Sequence, residues 1–164
     1  MRFSDNGVNI LKRLEGCVTV DGRHVIYNDK TGQPIISTNV LPYGATIGYG
    51  HLIKYGEDFA NGITETDATE LLRADIMVAE RTVQKCITSE LSQNQFDALV
   101  ILAYNIGTKN FTNSTVVKYL NNPNYHSRIY QDLKSAWFAW DKSGGRQMFG
   151  LKKRRSVEWN LFNT

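Results

Sequence analysis

The sequence predicts an α+β fold with a small N-terminal antiparallel sheet lobe, a long connecting helix and a larger helical lobe. Short β-prone fragments punctuated by glycine and proline occupy residues of about 17–60. A continuous amphipathic stretch follows at about 64–87, and apolar residues recur at helical spacing through about 88–164. A chain of 164 residues is long enough for one domain with two lobes. A substrate would commonly bind in the cleft between such lobes.

The first predicted element is a helix over residues 4–15, which we expect to pack with the helical lobe. Ser4 is a good N-cap, and Gly16 is a typical C-terminal stop. Between them, apolar residues recur at helical spacing: Val8, Ile10, Leu11 and Leu14.

The sheet lobe begins with a predicted hairpin. Residues 18–20 and 24–27 are β-prone and flank Asp21-Gly22, a pair that favours a two-residue hairpin turn. Further β-prone fragments lie at 34–36 and 45–47, so the prediction is a small antiparallel sheet.

The rest of the chain is predicted to be helical. Thr64 with Asp67 resembles a capping box that opens the connecting helix, and Ser92 with Gln95 repeats this signal. Residues 96–103 are apolar almost all round, which indicates a buried helix. Shorter helices are predicted at about 114–121, 127–141 and 150–161, with Gly144-Gly145 as a turn or hinge before the last.

Positive charge is concentrated near the C-terminus. The whole chain has a formal net charge of +3, but the segment from Lys134 onward carries +5 and residues 1–133 carry −2. This indicates an anionic partner such as nucleic acid, lipid head groups or an acidic wall polymer, or simply a solvated basic helix face. No nucleic-acid-binding motif accompanies the basic residues.

The two cysteines, Cys17 and Cys86, are predicted to be free thiols. Neither lies in a C-x-x-C motif, so we expect no metal site and no cofactor. The first 16 residues do not resemble a signal peptide, and no segment approaches membrane-spanning length. We therefore expect a protein that is made and held in a cytoplasm. Separately, we expect it to be a monomer.

Three residues are candidates for catalysis, although each has an ordinary interpretation when taken alone. Glu15 lies at a helix C-terminus, where partial negative charge and burial would disfavour its ionised form, as suits a general acid. It could equally be a surface glutamate, Asp29 a turn residue, and Thr46 a strand former.

Their combination is more specific. The segments are Leu-Glu-Gly at 14–16, Tyr-Asn-Asp at 27–29 and Thr-Ile-Gly-Tyr-Gly-His at 46–51. Together they resemble the signature of glycoside hydrolase family 24, the phage-type lysozymes or endolysins. Residues 93–115 and 136–159 also resemble that family, so the similarity covers nearly the whole chain and implies a lysozyme-like fold.

The resemblance implies a role for each candidate. Glu15 would be the general acid, while Asp29 and Thr46 would position water and stabilise positive charge. An inverting reaction would need the two carboxyl groups about 6.5–9.5 Å apart. Because the loops around Asp29 are longer than in compact family members, Asp21 is a competing carboxylate. The sugar-binding candidates are Leu52, Tyr104, Asn105 and Ser114.

Other polar and aromatic residues of the same segments are given supporting roles. His51 is expected to make a structural hydrogen bond or ion pair. Trp137 and Trp140 share a helix face and are expected to pack in the core. Arg154 and Arg155 would support the cleft or contact an anionic wall.

The implied function is hydrolysis of the β-1,4 bond between N-acetylmuramic acid and N-acetylglucosamine in bacterial peptidoglycan, which would lyse the host cell. The enzyme would leave the host cytoplasm through a separate membrane-permeabilising protein. One alternative is a lytic transglycosylase that cuts the same bond with one essential acid. Another is a non-enzymatic protein whose basic C-terminal segment binds a wall or membrane.

Overall fold

The computed structural model describes residues 1–35 and 41–164. Within these residues the chain folds into two compact units. The sheet unit comprises Val8–Asp75, and the helical unit comprises Met1–Gly7 together with Ile76–Thr164. In chain order the elements are α1 Asp5–Glu15, β1 Thr19–Val20, β2 Arg23–His24, β3 Tyr27–Asn28, β4 Ala45–Ile47, β5 His51–Leu52, α2 Glu65–Cys86, α3 Gln93–Ile106, α4 Thr108–Thr112, α5 Thr115–Asn121, α6 Leu133–Phe138, β6 Lys142–Ser143, β7 Arg146–Gln147 and α7 Phe149–Phe162.

The sheet unit contains a hairpin and a separate three-stranded sheet. Strands β1 and β2 pair across Asp21-Gly22, whose φ angles of 50° and 77° fit the predicted two-residue turn. Strands β3, β4 and β5 form an antiparallel sheet with β4 in the middle.

The prediction of one continuous strand over 24–27 is wrong. The chain leaves β2 at His24 and enters the second sheet at Tyr27, where it pairs with Thr46 of β4. This pairing joins residues far apart in sequence, so local alternation could not reveal it. In the predicted β-prone fragment 34–36, Pro34 forms an isolated antiparallel bridge with Tyr27. Ile36 lies outside the described residues.

Local capping determines where the long helices begin. Thr64 and Asp67 exchange hydrogen bonds from their backbone N–H groups at 3.0 and 3.2 Å, and α2 begins at the next residue. Ser92 and Gln95 make the same reciprocal box at the start of α3. Both starts were predicted from the sequence.

The core of the helical unit is built on α3, α7 and an aromatic cluster. Residues 96–103 of α3 are buried, as predicted. Trp137 is completely buried and packs against Trp159 and Phe162, with ring centroids 5.7 and 5.3 Å away. Within the described ranges, no helix is both long and apolar enough to cross a membrane.

The structure corrects two helix predictions in this unit. The helix expected over 127–141 is only Leu133–Phe138, because Asp132 caps it through the backbone N–H of Ser135 at 2.7 Å. Before that cap, the hydroxyl of Ser127 accepts two backbone hydrogen bonds in a separate turn. Helix α4 was not predicted, since its N-cap is Gly107, which offers no capping side chain.

Candidate functional site

Thr46 lies in the centre of the three-stranded sheet. It is buried and pairs with Tyr27 on one side and Leu52 on the other. Its hydroxyl donates a hydrogen bond to the carbonyl oxygen of Tyr27 at 3.3 Å. The sheet and this bond fix the position of the hydroxyl.

Asp29 is exposed and begins the turn that follows β3. The side-chain oxygen of Asn28 accepts hydrogen bonds from the N–H groups of Lys30 and Thr31 at 3.0 and 3.2 Å, which holds the turn closed. The N–H of Asp29 also reaches the carbonyl oxygen of Gly44 at 3.5 Å. The backbone that carries Asp29 is therefore tied to the turn and to the approach to β4.

Glu15 is the last residue of α1 and is half-buried. The N–H of Gly16 still donates to the carbonyl oxygen of Lys12 at 3.0 Å, after which the chain leaves the helix. The last turn of α1 therefore fixes the backbone position from which the Glu15 side chain extends.

The pKa of the Tyr27 phenol depends on all three candidates. Burial raises the pKa of Tyr27, and the negative charges of Asp29, Cys17 and Glu15 raise this pKa further. A hydrogen bond with the side chain of Thr46 opposes the rise. Both candidate carboxylates and the candidate hydroxyl thus act on one side chain within the sheet unit.

Glu65 connects the segments that carry these candidates, although in the sequence it resembles any other glutamate in the first turn of a helix. It accepts hydrogen bonds from Lys12 of α1 at 2.8 Å and from Tyr49 at 2.8 Å, and lies 2.7 Å from Nε2 of His24. Burial raises the pKa of Glu65, but the hydrogen bonds from Lys12, His24 and Tyr49 outweigh it and lower the pKa to about 2. Burial and Glu65 together raise the pKa of the Tyr49 phenol.

The region from residue 12 to residue 158 matches the family described as "Phage lysozyme". The chain belongs to the phage lysozyme family. It is 36% identical over 166 residues to an endolysin of Bacillus phage B103, covering all of this chain and 55% of that protein. The chain therefore spans about half the length of that relative.

Two further comparisons cover nearly the full length of both proteins compared. An endolysin of Salmonella phage P22 is 36% identical over 158 residues, which is 94% of each chain. A solved structure, the muramidase domain of SpmX from Asticaccaulis excentricus, superposes with a TM-score of 0.74 at 30% identity, covering 99% of this chain and 98% of that one. These findings confirm the predicted fold class and the resemblance.

In this phage lysozyme family member, Leu52 is the sugar-binding candidate of the sheet unit. It lies opposite Thr46 in β5 and is half exposed. The competing carboxylate Asp21 is exposed in the β1–β2 turn.

The other sugar-binding candidates lie in the helical unit. Tyr104 is half-buried and Asn105 is exposed near the end of α3, where the side-chain oxygen of Asn105 accepts a hydrogen bond from Arg155 at 2.7 Å. Ser114 is buried, and its hydroxyl caps α5 through the N–H of Val117 at 3.3 Å.

Trp140 differs from its prediction as a core residue. It is only half-buried and lines a cavity of about 200 Å³ with Ser114 and Tyr130. Helix α6 ends before Trp140, so the helical spacing that suggested a shared buried face with Trp137 does not continue to it.

The predictions for the remaining polar residues have mixed outcomes. His51 is buried between two carboxylates, Asp75 at 2.8 Å and Glu57 at 3.0 Å, so its predicted structural role is confirmed. Arg154 and Arg155 are also buried, within 3.4 and 2.6 Å of the Glu158 carboxylate. The suggestion that these two arginines contact an anionic wall is therefore wrong.

Proposed function

We propose that this chain is an endolysin that hydrolyses the β-1,4 bond between N-acetylmuramic acid and N-acetylglucosamine in peptidoglycan. The observation that carries the proposal is the place of Thr46 in the central strand, where its buried hydroxyl is held between Tyr27, two residues before Asp29, and Leu52. Membership of the phage lysozyme family supports it, as do relatives that are themselves named endolysin and muramidase.

In the proposed mechanism, Glu15 donates its proton to the glycosidic oxygen as the bond to the anomeric carbon breaks. The sugar that remains develops oxocarbenium character, which the carboxylate of Asp29 stabilises. Water attacks the anomeric carbon from the opposite face and loses a proton to Asp29, so the configuration inverts. Because the Thr46 hydroxyl donates its proton to the backbone carbonyl oxygen of Tyr27, its lone pairs are free to accept a hydrogen bond from this water.

Leu52, Tyr104, Asn105 and Ser114 are proposed to contact the sugars. Leu52 offers an exposed apolar surface beside Thr46, and Tyr104 offers a ring face. The amide of Asn105 keeps its N–H donors for a ligand, because the contact with Arg155 uses its oxygen. The Ser114 hydroxyl accepts from the helix backbone and can still donate its own proton to a sugar.

The decisive experiment is mass spectrometry of peptidoglycan digested by wild type, Glu15→Gln and Asp29→Asn, with Asp21→Asn as the matched control. We expect Glu15→Gln to lose about 10²–10⁴-fold of activity, since it removes the acid, while Asp21→Asn keeps wild-type activity. Circular dichroism would verify that every variant is folded. Retained lysis by Glu15→Gln would refute the role of Glu15. Anhydro ends in place of new reducing ends would identify a transglycosylase.

We further propose that the basic C-terminal segment contacts an anionic wall or membrane. Its acidic residues, Asp141 and Glu158, are buried, whereas five of its basic residues are exposed: Lys134, Lys142, Arg146, Lys152 and Lys153. Lysis should therefore weaken as salt rises, because exposed charges are screened over about 8 Å at physiological ionic strength. The double substitution Lys152→Glu with Lys153→Glu should reduce this salt dependence, whereas Lys118→Glu, on an exposed residue outside the segment, should not. Salt-independent lysis by the wild type would contradict the proposal.

The proposed site of action is the wall of the host, reached from the cytoplasm after a separate protein permeabilises the membrane. Expression without such a protein should leave cells intact until the membrane is opened chemically, as followed by culture turbidity. Spontaneous lysis would contradict this route. We propose a monomer without cofactor or metal, which sedimentation and activity in the presence of chelator would test.

A further inference from the structure

Two tyrosines of the sheet unit are fully exposed. Tyr43 and Tyr55 have relative exposures of 101% and 108%, the highest among the exposed large hydrophobic residues of the described chain. Core packing therefore does not account for either ring. Exposed aromatic surface concentrated in one place commonly marks a binding site.

Both tyrosine rings are presented by the same kind of backbone turn. Each tyrosine is the second residue of a four-residue turn, over Pro42–Ala45 and Lys54–Glu57, and each turn is closed by a backbone hydrogen bond of 3.1 Å. The third residues, Gly44 and Gly56, have φ of 86° and 90°, as a type II turn requires. A Cβ would meet nothing within 4 Å at either glycine, so conformation rather than space calls for glycine there.

Strand register brings the two turns to the same end of one ladder. Thr46 lies opposite Leu52, and the N–H of Ile53 donates to the carbonyl oxygen of Ala45 at 3.0 Å. Tyr43 lies two positions before β4 begins, and Tyr55 lies three positions after β5 ends. The two tyrosine turns therefore flank the same end of the β4–β5 pair that carries the candidate catalytic hydroxyl.

A groove lies between the turns. It encloses about 390 Å³, within the range of small-ligand sites, and is lined by both tyrosines together with Leu52, Ile53 and Lys54. Leu52 and Ile53 supply apolar surface, and Lys54 supplies an exposed hydrogen-bond donor. Leu52, a proposed sugar contact, thus joins the groove to the proposed site.

The second turn is held rigidly. The carboxylate of Glu57 accepts the N–H of Lys54 at 2.8 Å and contacts Nε2 of His51 at 3.0 Å. The other ring nitrogen of His51 contacts Asp75 of α2 at 2.8 Å. A ring presented by a pre-organised turn loses little conformational freedom when a ligand binds.

We propose that this groove binds a sugar ring of the glycan strand beyond the site of cleavage, a proposal that rests on the proposed function. A pyranose presents a face of C–H groups that can lie on a tyrosine ring, while its hydroxyls at the edge reach donors such as Lys54. The substrate is a polymer, and Leu52 both lies opposite Thr46 and lines the groove, so a strand whose cleaved bond lies at Thr46 can continue over Leu52 into the groove.

The test compares the double variant Tyr43→Ala/Tyr55→Ala with wild type on peptide-free glycan strands of increasing length. We expect KM for long strands to rise about tenfold, equivalent to about 1.4 kcal/mol, with kcat retained. This difference should shrink on the shortest strands that the wild type cleaves. Tyr43→Phe/Tyr55→Phe should recover most of the affinity, and Ile129→Ala, on another exposed apolar residue, should change nothing. An equal loss at all lengths, or no loss, would overturn the proposal.

Binding to the Glu15→Gln variant, measured by calorimetry, separates failure of the groove from failure of the proposed function. If the wild type cleaves nothing but strands bind and the tyrosine substitutions weaken binding, the hydrolase function fails and the groove stands. If the tyrosine substitutions leave binding unchanged, or no strand binds, the groove is refuted whatever the cleavage result. An effect confined to strands that carry stem peptides would identify a peptide as the occupant and overturn the sugar assignment.

Discussion

The carboxylate of Glu158 is completely buried in the helical unit, and both of its oxygens accept hydrogen bonds. Nη2 of Arg155, itself completely buried, donates to one oxygen at 2.6 Å, and Nε1 of Trp137 donates to the other at 3.0 Å. Burial raises the pKa of Glu158 and lowers the pKa of Arg155, while the attraction between the two opposes both shifts. Each charge is therefore tolerated because the other is present.

Glu158→Gln keeps the shape of the side chain but removes the charge that faces Arg155. Breaking a buried pair from one side costs about 3–5 kcal/mol. For a chain of this length, 1 kcal/mol corresponds to about 2–4 °C in Tm, so we expect Tm to fall by about 10 °C. Thermal unfolding followed by circular dichroism, together with urea titration, would measure both quantities.

Two variants make the measurement decisive. Glu90→Gln removes an exposed glutamate and should change the free energy of unfolding by less than about 0.5 kcal/mol. The double variant Glu158→Leu/Arg155→Met removes both charges. Its loss of unfolding free energy should therefore be smaller, by about 1 kcal/mol or more, than the summed losses of Glu158→Leu alone and Arg155→Met alone. Strict additivity, or a loss under about 1 kcal/mol for Glu158→Gln, would refute the argument.

Three further outcomes follow from the structure. Glu65 has a pKa of about 2 in the folded chain against an ordinary 4.5, so its stabilising effect is complete above about pH 4.5 and disappears as the pH falls through about 2. Because Glu65 is largely exposed, Glu65→Gln should cost only about 1 kcal/mol near neutral pH, and a Tm difference that persists unchanged at about pH 2 would contradict this reasoning. Leu99→Ala removes a completely buried side chain and should cost about 3 kcal/mol in urea titrations, against less than about 0.5 kcal/mol for the exposed Ile129→Ala; equal losses would argue against the described core. Thr46→Val should lower kcat on peptidoglycan about 10²-fold, whereas Thr46→Ser retains the hydroxyl and most of the activity; wild-type kcat in Thr46→Val would exclude a role for that hydroxyl.

Features governed by local hydrogen bonds were predicted well from the sequence. Ser4, Thr64 and Ser92 mark the starts of α1, α2 and α3, because a capping side chain bonds to an N–H only three residues away. The Asp21-Gly22 turn is also a local feature, and it is predictable because this residue pair tolerates the positive φ that the turn needs at both positions. The α+β class and the family resemblance, which depend on many such signals together, are confirmed.

Features that depend on partners distant in the sequence were not predicted. Glu65 looks like any first-turn glutamate, and only the fold brings Lys12, His24 and Tyr49 to it. The pairing of Tyr27 with Thr46 likewise divided a strand that alternation suggested was continuous. The catalytic roles of Glu15, Asp29 and Thr46 and the four sugar contacts stay predictions until the variants are measured.

The discontinuity of the helical unit has a consequence for how the chain acquires its structure. Residues 1–7 are built into a unit that is otherwise formed by residues 76–164. The N–H of Ser4 donates to Asp97, 93 positions later, and the carbonyl oxygen of Arg2 accepts from Gln93, 91 positions later. Contacts between residues so far apart in the sequence form slowly. During synthesis, residues 1–7 must wait for partners that leave the ribosome much later. A truncation or fusion at the extreme N-terminus should therefore weaken the unit that is completed last, rather than the neighbouring segment of the chain.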